Sequence, residues 1–217
     1  MKAFSPPAPA LKETLLQKGA EADILLGAFL GRKAVFKQRK PKSYRNPALD
    51  LQLRSSRTRT EALFLVRSRK AGVRSPLIYA IDLAQCTLVM EFLEGKKFRD
   101  VLQKEKRLSK AGKMLCMQFG TLIGKLHNHS LIHGDLTTSN VMVQGKALAF
   151  LDFGLSSESA ALEDKAVDLL NLKKMFLATH LHAHKGWELI LDSYLRETGI
   201  PHMPEKIAEI EARARYS

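Results

Sequence analysis

Three polar side chains close together in the sequence have the types and spacing for chemistry on phosphate. Asp135 and Asn140 share the stretch Ile132-His133-Gly134-Asp135-Leu136-Thr137-Thr138-Ser139-Asn140, and Asp152 opens Asp152-Phe153-Gly154 shortly afterwards. An Asp and an Asn on one tight loop can divide the work, the Asp facing a hydroxyl or water and the Asn facing a divalent cation. A second Asp arriving from a neighbouring strand can hold that cation against phosphate oxygens. The chemistry this points to is phosphoryl transfer, with Asp135 as the acceptor-side group and Asn140 and Asp152 as magnesium ligands.

That reading needs an element that brings Asp152 back beside Asn140. Val141-Met142-Val143 and Ala147-Leu148-Ala149-Phe150-Leu151 are apolar runs on either side of Gln144-Gly145-Lys146, the pattern of a hairpin. The order His, Asp, Leu, Asn and then Asp-Phe-Gly is in register with the catalytic and metal loops of protein kinases, with Gly134 where those usually carry Arg.

The preceding half of the sequence can supply the remaining parts. Gln17-Lys18-Gly19-Ala20-Glu21-Ala22 reads as a tight turn in a two-strand flap, with Lys18, Gly19 and Ala20 covering the phosphates although no G-x-G-x-x-G is present. Gly31-Arg32-Lys33 reads as the next turn and Ala34-Val35-Phe36-Lys37 as the strand whose Lys reaches the α and β phosphates. Pro41 to Asp50 reads as a loop. Leu51 to Ala71 reads as a helix with an apolar face of Leu53, Leu63, Phe64 and Val66, and its one acid, Glu61, orients Lys37. Strands over Leu77–Ile81 and Thr87–Leu93 place Met90 behind an adenine pocket, with Glu91 to Leu93 as the hinge.

The rest reads as mainly helical. Phe98–Glu105 and Ala111–His129 show helical spacing, with Leu115, Phe119, Leu122, Ile123 and Leu126 on one buried face and Gly120 and Gly124 permitting close packing. Further helices run through Phe176, from Trp187 to Arg196 and from Pro204 to Ala214. His127 and His129 read as structural, and His180, His182 and His184 lack the carboxylate or Cys company of a metal site.

Composition bounds the class. The 217 residues, 45% hydrophobic, can form one domain or two small lobes and are not generally disordered. No apolar run has the length of a bilayer span, and the proline-broken stretch Met1 to Ala10 reads as a flexible arm rather than a secretory signal. Cys86 and Cys116 read as buried free thiols of a reducing compartment. The net charge is +13 and the pI near 9.8. Between Arg32 and Arg74 Asp50 and Glu61 are the only acids amid dense Arg and Lys, which suggests a polyanionic partner such as nucleic acid.

The sequence resembles the small atypical kinase of the KEOPS (EKC) complex, the p53-related protein kinase family, over nearly its whole length. The resemblance is carried by Gln17-Lys18-Gly19-Ala20-Glu21-Ala22, Pro41-Lys42-Ser43-Tyr44-Arg45, Pro47-Ala48-Leu49-Asp50 and Arg57-Thr58-Arg59 with Glu61. His133 to Asn140, Asp152 to Ser156 and Glu163-Asp164-Lys165-Ala166-Val167-Asp168-Leu169 continue it, and the Thr-Thr-Ser-Asn and Glu-Asp-Lys-Ala-Val-Asp runs are its most specific parts.

The resemblance implies an α+β, minimal two-lobed protein-kinase-like fold: a small β-rich N-lobe with one helix (11–93) and a mainly helical C-lobe ending in a short basic tail (94–217). It implies ATP and Mg2+ as cofactors, with Mg-ATP between the lobes. It also implies serine/threonine kinase activity in isolation, and ATPase activity supporting threonylcarbamoyladenosine modification of tRNA within the complex. The partners implied are a threonylcarbamoyl transferase subunit, a small regulatory subunit, and tRNA contacted by the basic N-lobe, without a membrane. The location implied is the cytoplasm, and also the nucleus if the source is eukaryotic. There is no Ala-Pro-Glu motif and little sequence between Asp152 and Asp168 to form a peptide platform. The basic tail usual in the family is reduced to Arg213 and Arg215. The alternative function is an ATP-binding, RNA-contacting scaffold without useful turnover.

Overall fold

The structure, a computed structural model, describes residues 14–213. The arm over residues 1–10, Leu11, the end of the last helix at Ala214 and Arg215 of the tail lie outside the described residues. The chain divides into two compact units, and the division falls within a helix. One unit runs to Val66 and resumes over Pro76–Leu93; the other takes Arg67–Ser75 and everything from Glu94.

The first unit is an antiparallel sheet with one long helix. Strands β1 (Thr14–Lys18), β2 (Ala22–Phe29), β3 (Arg32–Arg39), β4 (Ile78–Asp82) and β5 (Thr87–Glu91) lie in the order β1-β2-β3-β5-β4. The β2–β3 connection is tighter than the sequence suggests. Arg32 and Lys33 are already in the strand, and the loop is Leu30-Gly31, at φ 50° and 75°. Left-handed torsions at both positions match the twist of the flanking strands, which sets the register Phe29↔Arg32. Phe29, Ala34 and Val89 form the sheet's buried cluster, and Phe29 stacks on Tyr79 at 6.1 Å.

Helix α1 (Pro47–Lys70) begins earlier than Leu51. Asn46 Oδ1 accepts the Ala48 N–H at 3.0 Å, and Pro47 takes the first helical position, where its missing N–H costs nothing. The buried face also differs from the expected apolar stripe. Leu53, Leu63 and Val66 are exposed, while Thr58, Glu61, Leu65 and Ser68 are buried together with Phe64. Spacings of three and four residues put Thr58, Glu61, Leu65 and Ser68 on one side, so a partly polar stripe is what faces inward.

The second unit is mainly helical, making the chain α+β as expected. It holds β6 (Lys96–Lys97), α2 (Phe98–Gln103), α3 (Lys110–Asn128), β7 (Leu131–Ile132), a 3₁₀ turn (Thr138–Asn140), β8 (Val141–Gln144) and β9 (Ala147–Phe150). Then follow β10 (Ser157–Glu158), α4 (Leu162–Thr179), α5 (His184–Thr198) and α6 (Met203–Arg213). The hairpin expected around Gly145 is present as β8–β9, with Gly145 at φ 62° and Gln144 paired to Ala147. Ser109 caps α3 by accepting the Gly112 N–H at 3.0 Å. Helix α5 starts at His184 rather than Trp187, and Gly199 at φ 67° ends it in the left-handed conformation.

The apolar face of α3 is buried as its spacing predicts: Leu115, Phe119, Leu122, Ile123 and Leu126 all face inward. Both Cys86 and Cys116 are buried free thiols. Burial pushes the Cys116 thiol up to about 12, so it stays protonated and unreactive. No helix among the described residues is long and apolar enough to cross a membrane.

Gly120 and Gly124 are where α3 meets α5, but the two contacts differ in kind. A Cβ at Gly120 would lie 2.0 Å from the Ile190 carbonyl oxygen, whereas one at Gly124 would meet the Glu197 side chain at 2.7 Å. Backbone cannot step aside and a glutamate stem can. Gly120→Ala is therefore expected to cost about 1–3 kcal/mol in urea denaturation and Gly124→Ala less than about 1 kcal/mol. Equal losses would reject this account of the helix contact.

Candidate active site

In the second unit the site is built around the loop that follows β7. Asp168, on the second turn of α4, is 2% exposed. Its Oδ2 accepts the His133 N–H at 2.9 Å and its Oδ1 the Gly134 N–H at 3.0 Å. His127 Nε2 stands 3.2 Å from the same Oδ2. Because a carboxylate only accepts, Nε2 carries a proton, and Nδ1 stands 3.0 Å from the Tyr194 hydroxyl. Burial, followed by the Asp168 charge, pushes the Tyr194 phenol up, so it stays a donor.

Gly134 sits at φ 79°, and a Cβ there would be 2.2 Å from the Leu155 carbonyl oxygen. A side chain is thus excluded twice, by the left-handed torsion and by the approach of the Asp152-Phe153-Gly154 segment. Glycine in the usual Arg position follows from this local packing. Ser156 then donates from Oγ to the His133 carbonyl at 2.9 Å. Beyond it, β10 pairs with β7, Ser157 opposite Ile132, and Ser159 N–H bonds to Ser130 O at 2.9 Å. The chain then turns directly into α4. What stands between Asp152 and α4 is short and tied to the catalytic loop itself.

His133 is buried, with its ring 4.8 Å from that of Phe153 and 5.7 Å from that of Phe150. Its Nδ1 accepts the Asp135 N–H at 3.3 Å. Burial, the largest influence, holds the ring's pKa below the usual histidine value, so it stays neutral at pH 7. Thr138 Oγ1 meets His180 Nε2 at 2.9 Å, and burial lowers the His180 pKa to about 4. His182 Nε2 donates to the Leu102 carbonyl at 2.9 Å.

The candidate side chains stand on this frame. Asn140 Nδ2 donates to Asp135 Oδ2 at 2.8 Å and to the Asp135 carbonyl at 3.0 Å. Its amide is thereby oriented, with Oδ1 as the oxygen for a cation. Asp152 Oδ1 accepts the Gly154 N–H at 2.9 Å. An amide oxygen and a carboxylate suit magnesium, which takes few protein ligands and completes its octahedron with phosphate oxygens and water. Among the described residues no cluster of three or more His, Cys, Asp or Glu could hold a metal, so a site with protein ligands alone is not built here. A cavity of about 290 Å³ opens beside the loop, lined by Gly134, Ser157, Glu158, Asp164 and Asp168 among others.

The first unit carries the other predicted residues. Lys37 Nζ lies 2.6 Å from Glu61 Oε1, both buried. Gly19 closes the β1–β2 turn with its N–H on Ala22 O at 3.0 Å, and a Cβ on Gly19 would strike that oxygen at 2.5 Å. Lys18 ends β1 and Ala20 lies in the turn, where its carbonyl receives Lys42 Nζ. At the end of β5, Glu91 gives its N–H to Leu77 O at 2.8 Å, and its carboxylate accepts the Leu77 N–H at 3.1 Å. Leu93 is buried.

Sequence reasoning by roles missed Asp168, Tyr194 and Arg39, while His127 is structural as read. Asp168 had a signal, since it closes the Glu-Asp-Lys-Ala-Val-Asp run. Arg39 had one too, because it is two residues past Lys37 on a strand and so shares its face.

Comparison with known proteins follows this geometry. A family model described as the RIO domain matches residues 28–182. The chain is 41% identical over 210 residues to the probable bifunctional tRNA threonylcarbamoyladenosine biosynthesis protein of Methanobrevibacter smithii, covering 95% of this chain but 37% of that protein. It is 38% identical to the KEOPS complex subunit Bud32 of Pyrococcus abyssi over 93% of this chain and 96% of the subunit. Among solved structures, the Rio2 kinase–ADP/Mg2+–phosphoaspartate complex from Chaetomium thermophilum superposes with a TM-score of 0.63 over 98% of this chain and 73% of that one, at 17% identity. The kinase-like fold is thereby shown.

The packing at Gly134 gives a direct test. Gly134→Ala is expected to lose at least about tenfold in Mg-ATP turnover and about 1–3 kcal/mol in stability, because the loop and Leu155 must separate. Turnover and urea midpoint both at wild-type values would show that the loop does not depend on this approach.

Proposed function

The chain belongs to the RIO-domain family, in the group that includes the KEOPS subunit Bud32, and from that premise we propose that it is a Mg-ATP-dependent phosphoryl-transfer subunit supporting threonylcarbamoyladenosine formation in tRNA. The observation that carries this reading is the Asn140–Asp135 hydrogen bond at 2.8 Å on a loop whose backbone is pinned by buried Asp168. That arrangement spends a buried charge on holding two polar side chains in one orientation, which a purely structural loop does not require.

Each residue then has a role. Lys37, oriented by Glu61, binds the α and β phosphates. The Lys18-Gly19-Ala20 turn lies over the phosphates, and the Glu91–Leu93 segment meets adenine through backbone groups. Asn140 and Asp152 would hold magnesium, which would supply positive charge against the phosphate chain. Asp135 orients the attacking oxygen of a water or a serine hydroxyl and takes its proton. A bond forms from that oxygen to the γ-phosphorus, the bond to the β–γ bridging oxygen breaks, and ADP leaves with the electron pair. Catalysis is positioning and charge stabilisation.

Between hydrolysis and protein phosphorylation, the short Asp152-to-α4 segment favours water as the usual acceptor. It pairs with β7 instead of forming a platform for a peptide. The matched bifunctional relative is much longer than this chain, which covers 37% of it. The partners of this reading are a threonylcarbamoyl transferase subunit and a small regulatory subunit. The Arg- and Lys-rich stretch from Arg32 to Arg74 is the part suited to tRNA phosphates. The rival reading, a nucleotide-binding scaffold, predicts binding without turnover.

Asp152→Ala is expected to lower Mg-dependent ATP hydrolysis at least about a hundredfold while the thermal midpoint stays within a few degrees. Wild-type turnover in this variant would remove Asp152 from the mechanism, and a wild-type protein that binds Mg-ATP without single-turnover hydrolysis would establish the scaffold. Affinity for tRNA is expected to fall at least about a hundredfold between roughly 50 and 200 mM salt, and a flat response would reject the phosphate contact.

A further inference from the structure

The usual plan pairs one lysine with one glutamate, but this chain gives its glutamate two cations. Lys37 and Arg39 lie on the same face of β3, and both reach Glu61 of α1, which is 1% exposed. Lys37 Nζ takes Glu61 Oε1 at 2.6 Å, and Arg39 Nη2 takes Oε2 at 2.7 Å. Arg39 is itself 4% exposed, and its Nη1 lies 3.5 Å from Glu21 Oε2 in the β1–β2 turn. Glu21 Oε1 accepts Arg57 Nη1 of α1 at 2.6 Å. The Arg57 hydrogen bond holds the Glu21 carboxyl below the usual range, so it is ionised at neutral pH.

Two consequences follow from this arrangement. With a cation at each oxygen, the Glu61 carboxylate is fixed in its plane, and α1 cannot turn away without breaking two buried ion pairs. One carboxylate shared by two cations also leaves the triad net positive, which favours a phosphate chain. Arg39 shares the Glu61 charge with Lys37, so the lysine can offer its ammonium to phosphate at lower cost. The link to Glu21 joins this triad to the Lys18–Glu21 turn.

We propose that Arg39 is a positioning residue for nucleotide phosphates, holding Glu61, Lys37 and the Lys18–Glu21 turn in one preassembled half-site. This rests on the reading of Lys37 as the phosphate lysine, and the test separates the two. In the full chain without nucleotide, acylation of Lys37 by an N-hydroxysuccinimide acetate is followed by mass spectrometry. Arg39→Gln is expected to slow it by about threefold or more, because more of the Glu61 charge then falls on Lys37. A residue that merely supports the fold would expose Lys37 on removal and speed acylation. In steady-state hydrolysis Arg39→Gln is expected to raise the KM for Mg-ATP about tenfold with kcat within about threefold, and Arg39→Lys to restore both readouts to within about twofold.

Unchanged or faster acylation, or an unchanged KM, overturns the proposal. If Arg39→Gln does not fold, Arg39→His read at about pH 8.5, where it is neutral, takes its place. If the wild-type protein does not bind Mg-ATP, the functional reading fails, while the acylation rates still decide whether Arg39 sets the state of Lys37.

Discussion

Everything in the catalytic loop depends on one buried carboxylate. Asp168 is taken out of water and met by donors that come from the loop's own backbone, His133 N–H and Gly134 N–H, and from His127. A charge left alone at that depth would cost several kcal/mol or become protonated. The loop must therefore present its two N–H groups to α4, and that requirement fixes the torsions around Gly134. The left-handed torsion and the contact with Leu155 follow from it, and so does the absence of an arginine there. Tyr194 and His127 extend the same constraint into α3 and α5, so the loop is braced by three helices.

The first unit shows the same economy with the signs reversed. Here a buried glutamate collects cations from a neighbouring strand. A helix dense in arginine would repel itself were its acids not placed to absorb charge, and Asp50, which takes Arg54 at 2.6 Å, does this near its start. Glu61 does it in the interior, where Lys37 and Arg39 are both largely removed from solvent. The exposed leucines of α1 are a by-product: once the inward stripe is occupied by Thr58, Glu61 and Ser68, apolar residues at the other spacings face outward.

Shortness is the third theme. From Asp152 the chain reaches α4 by way of a two-residue strand, and each step is tied to something already needed for the loop: Phe153 to His133, Ser156 to the His133 carbonyl, Ser157 to Ile132. No residue is spent on a separate substrate platform. A segment built this way holds the His133–Asn140 loop firmly.

The sequence alone determined the order of most elements and placed Asp135, Asn140 and Asp152 on the loop and beyond the hairpin where the structure has them. The separation of Asn140 from Asp152 was legible because the apolar runs around Gly145 mark a hairpin. The apolar face of α3 and the β8–β9 hairpin were legible because helices and strands repeat with fixed periods. The earlier start of α1 lay in local chemistry that was read as loop, an Asn cap followed by Pro. Tertiary structure alone decided which polar residues are buried and with whom. Nothing in linear spacing ties His133 to Asp168, His127 to Tyr194, or Glu61 to two cations rather than one. A buried charge is stabilised by whichever donors the fold brings within hydrogen-bond distance, and those donors come from segments far apart in the chain.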